Sequence, residues 1–297
     1  NNLLGVIITI LNIDLKSQYA IFELGTNNFG EIRNLVSLVK PSQIFITNIQ
    51  STHLENFKNK INISNEKSDI FKLKYNPNAE ILYLSNTNTP ERNILKLAKK
   101  EKLKKIITFG DLNSENFIKK VIQHNKFYKI DLSINNKIIK LNSKQKEIHR
   151  LNNLLFITSF FVQNNINIDI IKKNYQKLTP FVGRGRIHNL KINKLKLKLI
   201  DESYNANPET MIQSIKNFND LEINKTKKII ILGDMNELGL YSRKYHEDVL
   251  KFIEKLSFNK VILCGELFKS AVKKLINPKN KFIYKQNSKQ LFNYVKN

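Results

Sequence analysis

The stretch Lys-Ile-Ile-Ile-Leu-Gly-Asp, residues 228–234, shows the pattern that decides the fold of this 297-residue chain. A short run of branched apolar residues ends at a glycine and a carboxylate, and a longer amphipathic segment follows at Tyr245–Leu256. Short apolar runs that alternate with helical segments are typical of parallel strands covered by helices. The pattern therefore predicts an α/β fold.

The same alternation extends along most of the chain. It predicts strands at Tyr19–Glu23, Gln43–Thr47, Ile81–Leu84, Lys105–Phe109, Leu195–Ile200, Lys228–Leu232, Lys260–Cys264 and Lys281–Tyr284. It predicts helices at Glu31–Val39, Glu91–Lys102, Pro208–Phe218 and Tyr245–Leu256. The polar, β-like stretch Phe127–Leu141 is predicted to be an antiparallel excursion. Ligands gather at the carboxyl ends of parallel strands, so the residues that follow strands are the first candidates for a site.

Length and composition limit the class of protein. At about 150 residues per domain the chain holds two domains, predicted at 1–180 and 181–297, because Pro180, Gly183 and Gly185 interrupt the pattern there. A hydrophobic content of 41% excludes wholesale disorder, and a single cysteine excludes a disulfide framework. The longest apolar stretch, Leu3–Ile13, is shorter than the roughly 20 residues that cross a bilayer. We expect a cytoplasmic protein without a membrane partner.

The net charge of +25 would suit a nucleic-acid binder. Only six of the 50 basic residues are arginines, however, and the lysines are scattered along the chain among many Asn and Ile residues. Base recognition favours arginine forks, and single-strand binding favours aromatic platforms beside a basic groove. Neither pattern is concentrated in this sequence, so we predict no nucleic-acid partner.

Three polar residues are candidates for chemistry, and each also has an ordinary structural explanation. Glu23 ends the predicted strand Tyr19–Glu23, where a carboxylate suits Mg²⁺ but equally suits a helix N-cap or solvation of the strand end. His53 follows the strand Gln43–Thr47 and could be a metal ligand, although a lone histidine is more often structural. Lys67, on a predicted helix, would ordinarily be a solvated charge.

Taken together, three motifs of the first half resemble the central ATP-binding domain of the Mur ligases. They are Glu23-Leu-Gly-Thr-Asn27, His53-Leu-Glu55 and Lys67 with Ile70-Phe71. The spacing from His53 to Lys67 fits that family without a gap. A further string, His149-x-x-x-Asn153, is similar to the adenine-side motif of the same domain.

Three strings of the second half resemble the C-terminal domain of one member of that family, which adds D-alanyl-D-alanine to UDP-N-acetylmuramoyl-tripeptide. They are Gly183-Arg-Gly185, Asp201-Glu-Ser-Tyr-Asn-Ala-Asn-Pro208 and Gly233-Asp-Met-Asn-Glu-Leu-Gly239, with His246 following. The last two strings are highly specific. The resemblance covers nearly the whole chain and is weakest over residues 72–148 and after residue 266. Val6-Ile7 stands where the family usually has Val-Pro.

The resemblance implies a mostly parallel central ATP-binding domain followed by a Rossmann-like C-terminal domain. It also implies an ATP- and Mg²⁺-dependent ligase of peptidoglycan precursor synthesis, and hence of cell wall biogenesis, cell shape and cell division. ATP would phosphorylate the tripeptide carboxylate, and the amine of D-alanyl-D-alanine would displace the phosphate. By match, Glu23, His53 and a carbamylated Lys67 would be catalytic and would hold magnesium. The nucleotide would meet Asn153, Arg184, Asp201, Glu202, Asn205 and Asn207. We expect a monomer.

One element of that family is missing from the sequence. None of the nine glycines precedes a lysine, so the Gly-Lys-Thr loop that cradles phosphates is not in these 297 residues. We therefore expect a fragment, inactive by itself, that lacks the N-terminal domain, this loop and the extreme C-terminus. Two alternatives remain: a relative such as a folylpolyglutamate synthase, against which Asp201–Pro208 argues, and a non-catalytic binding module left after loss of the loop.

Overall fold

The computed structural model describes residues 1–86, 89–125, 127–144, 147–192, 195–224, 227–275 and 282–296. The chain forms two compact units. The first unit contains Asn1–Ile49 and Asn56–Leu178, and the second contains Gln50–Glu55 and Thr179–Asn297. Helices and strands occur in both, which confirms the predicted α/β class.

Up to residue 178 the chain forms seven α-helices, one short 3₁₀ helix (Tyr175–Lys177) and six strands within its described residues. In chain order the α-helices and strands are α1 (Leu3–Leu11), α2 (Glu31–Val39), β1 (Gln43–Ile46), α3 (Leu54–Phe57), α4 (Lys60–Ser68), β2 (Ile81–Ser85), α5 (Thr89–Ala98), β3 (Lys105–Gly110), β4 (Asn116–His124), β5 (Phe127–Ile134), β6 (Lys137–Ser143), α6 (Ile148–Gln163) and α7 (Asp169–Asn174).

The first unit is built on one sheet with the order β1-β2-β3-β4-β5-β6. Strands β1 to β4 are parallel, with Ile44 opposite Leu82, whereas β4, β5 and β6 are antiparallel. The antiparallel excursion predicted at Phe127–Leu141 is therefore confirmed. Its turn consists of Asn135 and Asn136, both with positive φ, which is the backbone that a tight hairpin requires.

The core of the first unit lies between this sheet and α6. Leu151, Leu154 and Leu155 of α6 are buried, at the i, i+3, i+4 spacing that places side chains on one helical face. They pack with strand residues such as Tyr83, whose ring stacks on Phe45 with centroids 4.6 Å apart. This packing fixes the sheet whose strand ends carry the candidate residues.

The strand predicted at Tyr19–Glu23 is wrong. The segment is extended, but it belongs to no sheet among the described residues, and Ile21 is 85% exposed. An isolated extended segment has no ladder hydrogen bonds and no buried face, so the apolar alternation alone does not make it a strand. It is held instead at its end, where the Gly25 N–H donates to the Asn1 carbonyl at 2.8 Å.

The second unit contains a hairpin and a three-stranded parallel sheet. Its elements are β7 (Arg186–Ile192), β8 (Leu195–Asp201), α8 (Pro208–Asn219), β9 (Ile229–Gly233), α9 (Ser242–Ile253), β10 (Lys260–Cys264), α10 (Glu266–Val272), β11 (Phe282–Lys285) and α11 (Ser288–Lys296). The sheet order is β11-β10-β9, with both pairs parallel. The strand predicted at Leu195–Ile200 lies outside that sheet and pairs antiparallel with β7. Lys281, the predicted start of the last strand, lies outside the described residues.

Helix positions are predicted well and helix ends less well. Glu31–Val39 is confirmed at both ends, whereas the predicted Tyr245–Leu256 begins three residues earlier and ends three residues earlier, as α9. The predicted Glu91–Lys102 is Thr89–Ala98. The described residues contain no helix that is both long and apolar enough to cross a membrane.

A buried lysine closes the end of α8. Lys228 is 2% exposed, and its ammonium donates to the carbonyls of Asn219 at 2.6 Å and Leu221 at 2.7 Å. The last carbonyls of a helix have no partner within the helix, so a cation that binds there stabilises the helix end. Lys228 therefore joins the end of α8 to the start of β9.

We expect Lys228→Met to lower the free energy of unfolding by about 3 kcal/mol, because it leaves two carbonyls without their charged donor. Urea unfolding followed by circular dichroism measures this change. Lys227→Met is the matched control, since Lys227 is exposed and adjacent. Equal stability of the two variants would contradict the structural role of Lys228.

A buried histidine holds the loop after β9. His246 of α9 is fully buried; its Nε2 accepts the Met235 N–H at 3.0 Å, and its Nδ1 therefore carries the proton and donates to the Ser242 carbonyl at 2.6 Å. Burial lowers the pKa of His246, and this effect outweighs the Ser242 carbonyl and the Asp234 carboxylate, which favour the charged form. His246 is therefore a neutral structural residue.

The free energy of unfolding should depend on pH through His246. The unfolded imidazole binds a proton near pH 6.5 and the folded one only at lower pH, so stability is lost as the pH falls below about 6.5 toward the lower pKa of the folded state. Chemical unfolding at several pH values should therefore show a steeper loss for the unmodified protein than for His246→Gln. His124→Gln, which removes an exposed histidine, is the control. Identical slopes for the unmodified protein and His246→Gln would refute the assignment.

Candidate active site

A buried carboxylate anchors the start of α2 on α4. Glu66 is 3% exposed and accepts hydrogen bonds from the N–H groups of Gly30 at 2.7 Å and Ile32 at 2.9 Å, and from the Thr26 hydroxyl at 3.4 Å. Free N–H groups at a helix N-terminus favour an anionic partner. Glu66 therefore ties the loop that follows Glu23 to the helix that carries Lys67.

Lys67 is half-buried and lies near a second buried carboxylate. Burial lowers the pKa of Lys67, and the Glu91 carboxylate opposes this shift. Glu91 is fully buried; its Oε1 accepts the Ile49 N–H at 2.9 Å, while its Oε2 has no hydrogen-bond partner in the described part of the chain. A lowered pKa raises the share of neutral amine, which is the form that reacts with electrophiles such as CO₂.

The other predicted site residues of the first unit are exposed. Glu23 lies on the extended segment before Gly25, and Asn153 lies on α6. No hydrogen bond or ion pair among the described residues joins any two of Glu23, Lys67 and Asn153. The described residues also contain no group of three or more His, Cys, Asp and Glu side chains that could hold a metal ion.

The segment Gln50–Glu55, which carries His53, belongs to the second unit. The Asn207 amide donates to the Gln50 side-chain oxygen at 3.1 Å, and the Ser51 hydroxyl donates to Glu209 at 2.7 Å. The imidazole of His53 contacts the Glu237 carboxylate through Nδ1. The sequence places this segment between two parts of the first unit, so only the folded chain shows this association.

Asp201 organises the loop after β8. Its carboxylate accepts the Ser203 hydroxyl at 2.6 Å, the Ser203 N–H at 3.1 Å and the Gly183 N–H at 3.0 Å. The pKa of Asp201 is lowered, with the Ser203 hydroxyl as the largest cause. The Arg184 guanidinium lies 4.2 Å from the centre of the Tyr204 ring, a cation–π distance. The structure therefore brings Arg184 and Asp201 to one turn.

Close approach explains the glycine in that turn. Gly183 has φ of 77°, and a Cβ there would lie 2.7 Å from the Cβ of Tyr204. The remaining predicted nucleotide residues follow the same turn: Glu202 and Asn205 are exposed, whereas Asn207 is buried and caps α8 by accepting the Thr210 N–H at 3.0 Å. A nucleotide contact of these residues stays a prediction.

Sequence reasoning missed the partners of the site residues. Glu66, Glu91 and Glu209 each bind a backbone N–H of another segment, and no local pattern marks them as different from surface glutamates. Glu237 is not among the missed residues, because the match to the family makes the loop Asp234–Glu237 a candidate for amino-acceptor or interdomain contacts. Its contact with His53 becomes visible only in the structure.

Two family matches cover most of the chain. The Mur ligase middle domain matches residues 1–159, and the Mur ligase glutamate ligase domain matches residues 185–296. The UDP-N-acetylmuramoyl-tripeptide–D-alanyl-D-alanine ligase of Rickettsia prowazekii is 30% identical over 297 residues, which is 99% of this chain and 64% of the relative. The chain thus spans less than two thirds of that relative's length.

Solved structures show the same fold. A crystal structure of MurF from Acinetobacter baumannii aligns with a TM-score of 0.83 at 23% identity, covering 99% of this chain and 61% of that one. MurF ligase from Thermotoga maritima, solved in complex with ADP, aligns with a TM-score of 0.67 at 18% identity, covering 92% and 65%. The middle-domain match alone takes in more than half of the residues. The chain therefore belongs to the Mur ligase family.

Proposed function

We propose that this chain is the nucleotide-binding and C-terminal part of a ligase that adds D-alanyl-D-alanine to UDP-N-acetylmuramoyl-tripeptide. The observation that carries the proposal is the 30% identity, along 99% of the chain, to a ligase of that name. The loop Asp201–Pro208, which is specific to that ligase, supports it, since it follows a strand end and holds Arg184 and Asp201 in one turn. The proposed setting is peptidoglycan precursor synthesis in the cytoplasm, by a monomer, with the consequences for cell shape and division expected of cell wall synthesis.

The proposed reaction transfers a phosphoryl group and then forms an amide. An oxygen of the tripeptide carboxylate attacks the γ-phosphorus of ATP, which gives an acyl phosphate and ADP. The amine of D-alanyl-D-alanine then attacks the acyl carbon, phosphate leaves with the bonding electrons, and the amine loses its proton. Positioning of both reactants and stabilisation of phosphate charge supply most of the rate in such reactions.

The oxygen donor atoms of the proposed ligands are of the type that a magnesium ion prefers. Mg²⁺ prefers oxygen ligands, and the exposed carboxylate of Glu23 is one. The lowered pKa of Lys67 favours the neutral amine that adds CO₂, and the resulting carbamate would provide further oxygens. We propose that Glu23, His53 and carbamylated Lys67 hold Mg²⁺, which would neutralise charge on the ATP phosphates.

The nucleotide contacts are assigned by match and supported by local geometry. Arg184 carries a charge suited to phosphate, and the Tyr204 ring limits its orientations. Asp201 is kept ionised by its hydrogen bonds and can accept from ribose hydroxyls. Asn153, on the exposed face of α6, would meet the adenine. Glu202, Asn205 and Asn207 complete the proposed set.

The chain alone should not ligate, because none of its 297 residues forms a Gly-Lys-Thr phosphate loop. A chimera should ligate. It consists of the residues of the Rickettsia prowazekii ligase that precede the region aligned with this chain, fused to the start of this chain. With ATP, Mg²⁺ and UDP-N-acetylmuramoyl-tripeptide, we expect phosphate release by the chimera to require D-alanyl-D-alanine. A folded chimera whose phosphate release ignores the dipeptide would contradict the proposal and favour a non-catalytic binding module.

The control within this experiment is Lys67→Ala in the same chimera. We expect turnover to fall by at least 100-fold, about 2.7 kcal/mol of barrier, because an oxygen-bearing side chain is lost. Small carboxylic acids should restore part of that turnover by occupying the vacated space. Unreduced turnover in Lys67→Ala without added acid would refute the assigned role of Lys67.

Glu66 would place Lys67 relative to the loop that follows Glu23. We expect Glu66→Ala to increase hydrogen exchange at the Gly30 and Ile32 amides at least tenfold, about 1.4 kcal/mol, because both lose their acceptor. Hydrogen-exchange mass spectrometry of the 297-residue chain measures this. Glu115→Ala, which removes an exposed carboxylate of the same unit, is the control, and unchanged exchange in Glu66→Ala would show that the Glu66 carboxylate does not hold the loop.

A further inference from the structure

The loop between β9 and α9 is held rigidly at its start. Asp234 accepts the N–H groups of Leu267 and Phe268, each at 3.0 Å, at the first turn of α10. The next residue, Met235, donates its N–H to the buried His246. Glu237 therefore extends from a loop that is fixed to two helices, and its position is defined although its side chain is half exposed.

The backbone of this loop fits closely against Gln50–Glu55. The Glu55 N–H donates to the Glu237 carbonyl at 3.0 Å. Gly239 has φ of 55°, and a Cβ there would lie 2.9 Å from the Cα of Glu55. A side chain at position 239 would thus push the two segments apart, so their contact depends on glycine at this position.

The side chains that face each other here are His53 and Glu237. The Nδ1 atom of His53 is buried and makes an ion-pair contact with Oε2 of Glu237, and it has no hydrogen bond within the described residues. Both residues have left-handed backbone, with φ of 53° and 61°. Such backbone costs energy for residues other than glycine and persists only where surrounding contacts hold it, often at functional sites.

We propose that Glu237 is a positioning residue for His53. Its carboxylate accepts the Nδ1–H and so selects the imidazole tautomer in which Nε2 carries the free lone pair. A neutral imidazole has one N–H, and the hydrogen bond made by one nitrogen decides which nitrogen stays available. Carboxylates orient metal-binding histidines in this way.

This inference rests on the proposed function in one respect, namely that His53 binds the magnesium ion or a phosphate of ATP. In that case Nε2 is the atom of His53 that makes this contact, directly or through a bound water. It also assigns a role to the string Gly233–Gly239: Asp234 and His246 fix the loop, Gly239 permits the approach, and Glu237 orients His53.

The test is ¹⁵N NMR of the imidazole nitrogens in the 297-residue chain, because nitrogen shifts distinguish the two tautomers. We expect the Nδ1–H tautomer of His53 in the unmodified protein at a pH where the ring is neutral. Glu237→Gln, which keeps an acceptor oxygen, should preserve it, and Glu237→Ala should lose it. Asn236→Ala, an exposed neighbour on the same loop, is the matched control and should preserve it.

Hydrogen exchange at Glu55 separates positioning from loss of structure. This amide donates to the backbone carbonyl of Glu237, so its protection should survive Glu237→Ala within threefold. An Nε2–H tautomer in the unmodified protein, or an Nδ1–H tautomer retained in Glu237→Ala, would overturn the proposal. So would loss of Glu55 protection together with the tautomer, since the carboxylate would then serve only to fold the loop.

The chimera provides a functional readout that is independent of the tautomer. We expect Glu237→Ala there to raise the Mg²⁺ concentration at half-maximal rate at least tenfold and Glu237→Gln to restore most of it. An unchanged Mg²⁺ requirement would overturn the role of Glu237 in the reaction. Absence of dipeptide-dependent turnover in the unmodified chimera would instead refute the proposed function, whatever tautomer His53 has.

Discussion

Carboxylates that accept backbone N–H groups hold the loops on which the rest of this structure depends. Glu66 binds Gly30 and Ile32, Glu91 binds Ile49, and Asp234 binds Leu267 and Phe268. Each of these N–H groups lies at a helix start or in a loop, where no helix or sheet ladder provides a partner. A charged acceptor there is stronger than a neutral one, so a single side chain can fix a whole turn.

Acidic side chains are scarce in this chain, and several of them bind backbone N–H groups. The chain has 50 basic and only 25 acidic residues, and its net charge of +25 would by itself oppose compaction. Several of the few acidic side chains are placed where they bind backbone or a lysine rather than solvent, as Glu66 and Glu91 show. Lys228 is the counterpart, a cation buried against helix-end carbonyls. The large positive net charge therefore comes mainly from surface residues, while a small set of buried charged side chains holds backbone groups in the interior.

The same interactions connect fold and chemistry. Glu66 is adjacent to Lys67 and binds the loop that follows Glu23, so the position of one proposed ligand is coupled to the segment of another. Asp201 likewise fixes the backbone next to Arg184, because its carboxylate accepts the N–H of the preceding residue, Gly183. In the Gly233–Gly239 string, each polar contact secures either the loop itself or the segment that carries His53. The specific strings of the sequence thus contain residues whose contacts hold the backbone of neighbouring segments.

The sequence by itself determined the α/β class, the helix Glu31–Val39, most strands and the antiparallel hairpin, because side-chain period and turn residues are local properties of the chain. It also determined the family, through strings whose residue types and spacing are specific. Only the tertiary structure decided that Tyr19–Glu23 lies outside any described sheet, since a strand requires a neighbour that no local pattern supplies. It alone placed Gln50–Glu55 in the second unit, where Ser51 meets Glu209, 158 residues away. A hydrogen bond depends on the three-dimensional position of both partners, and at such separations only the folded chain brings them together.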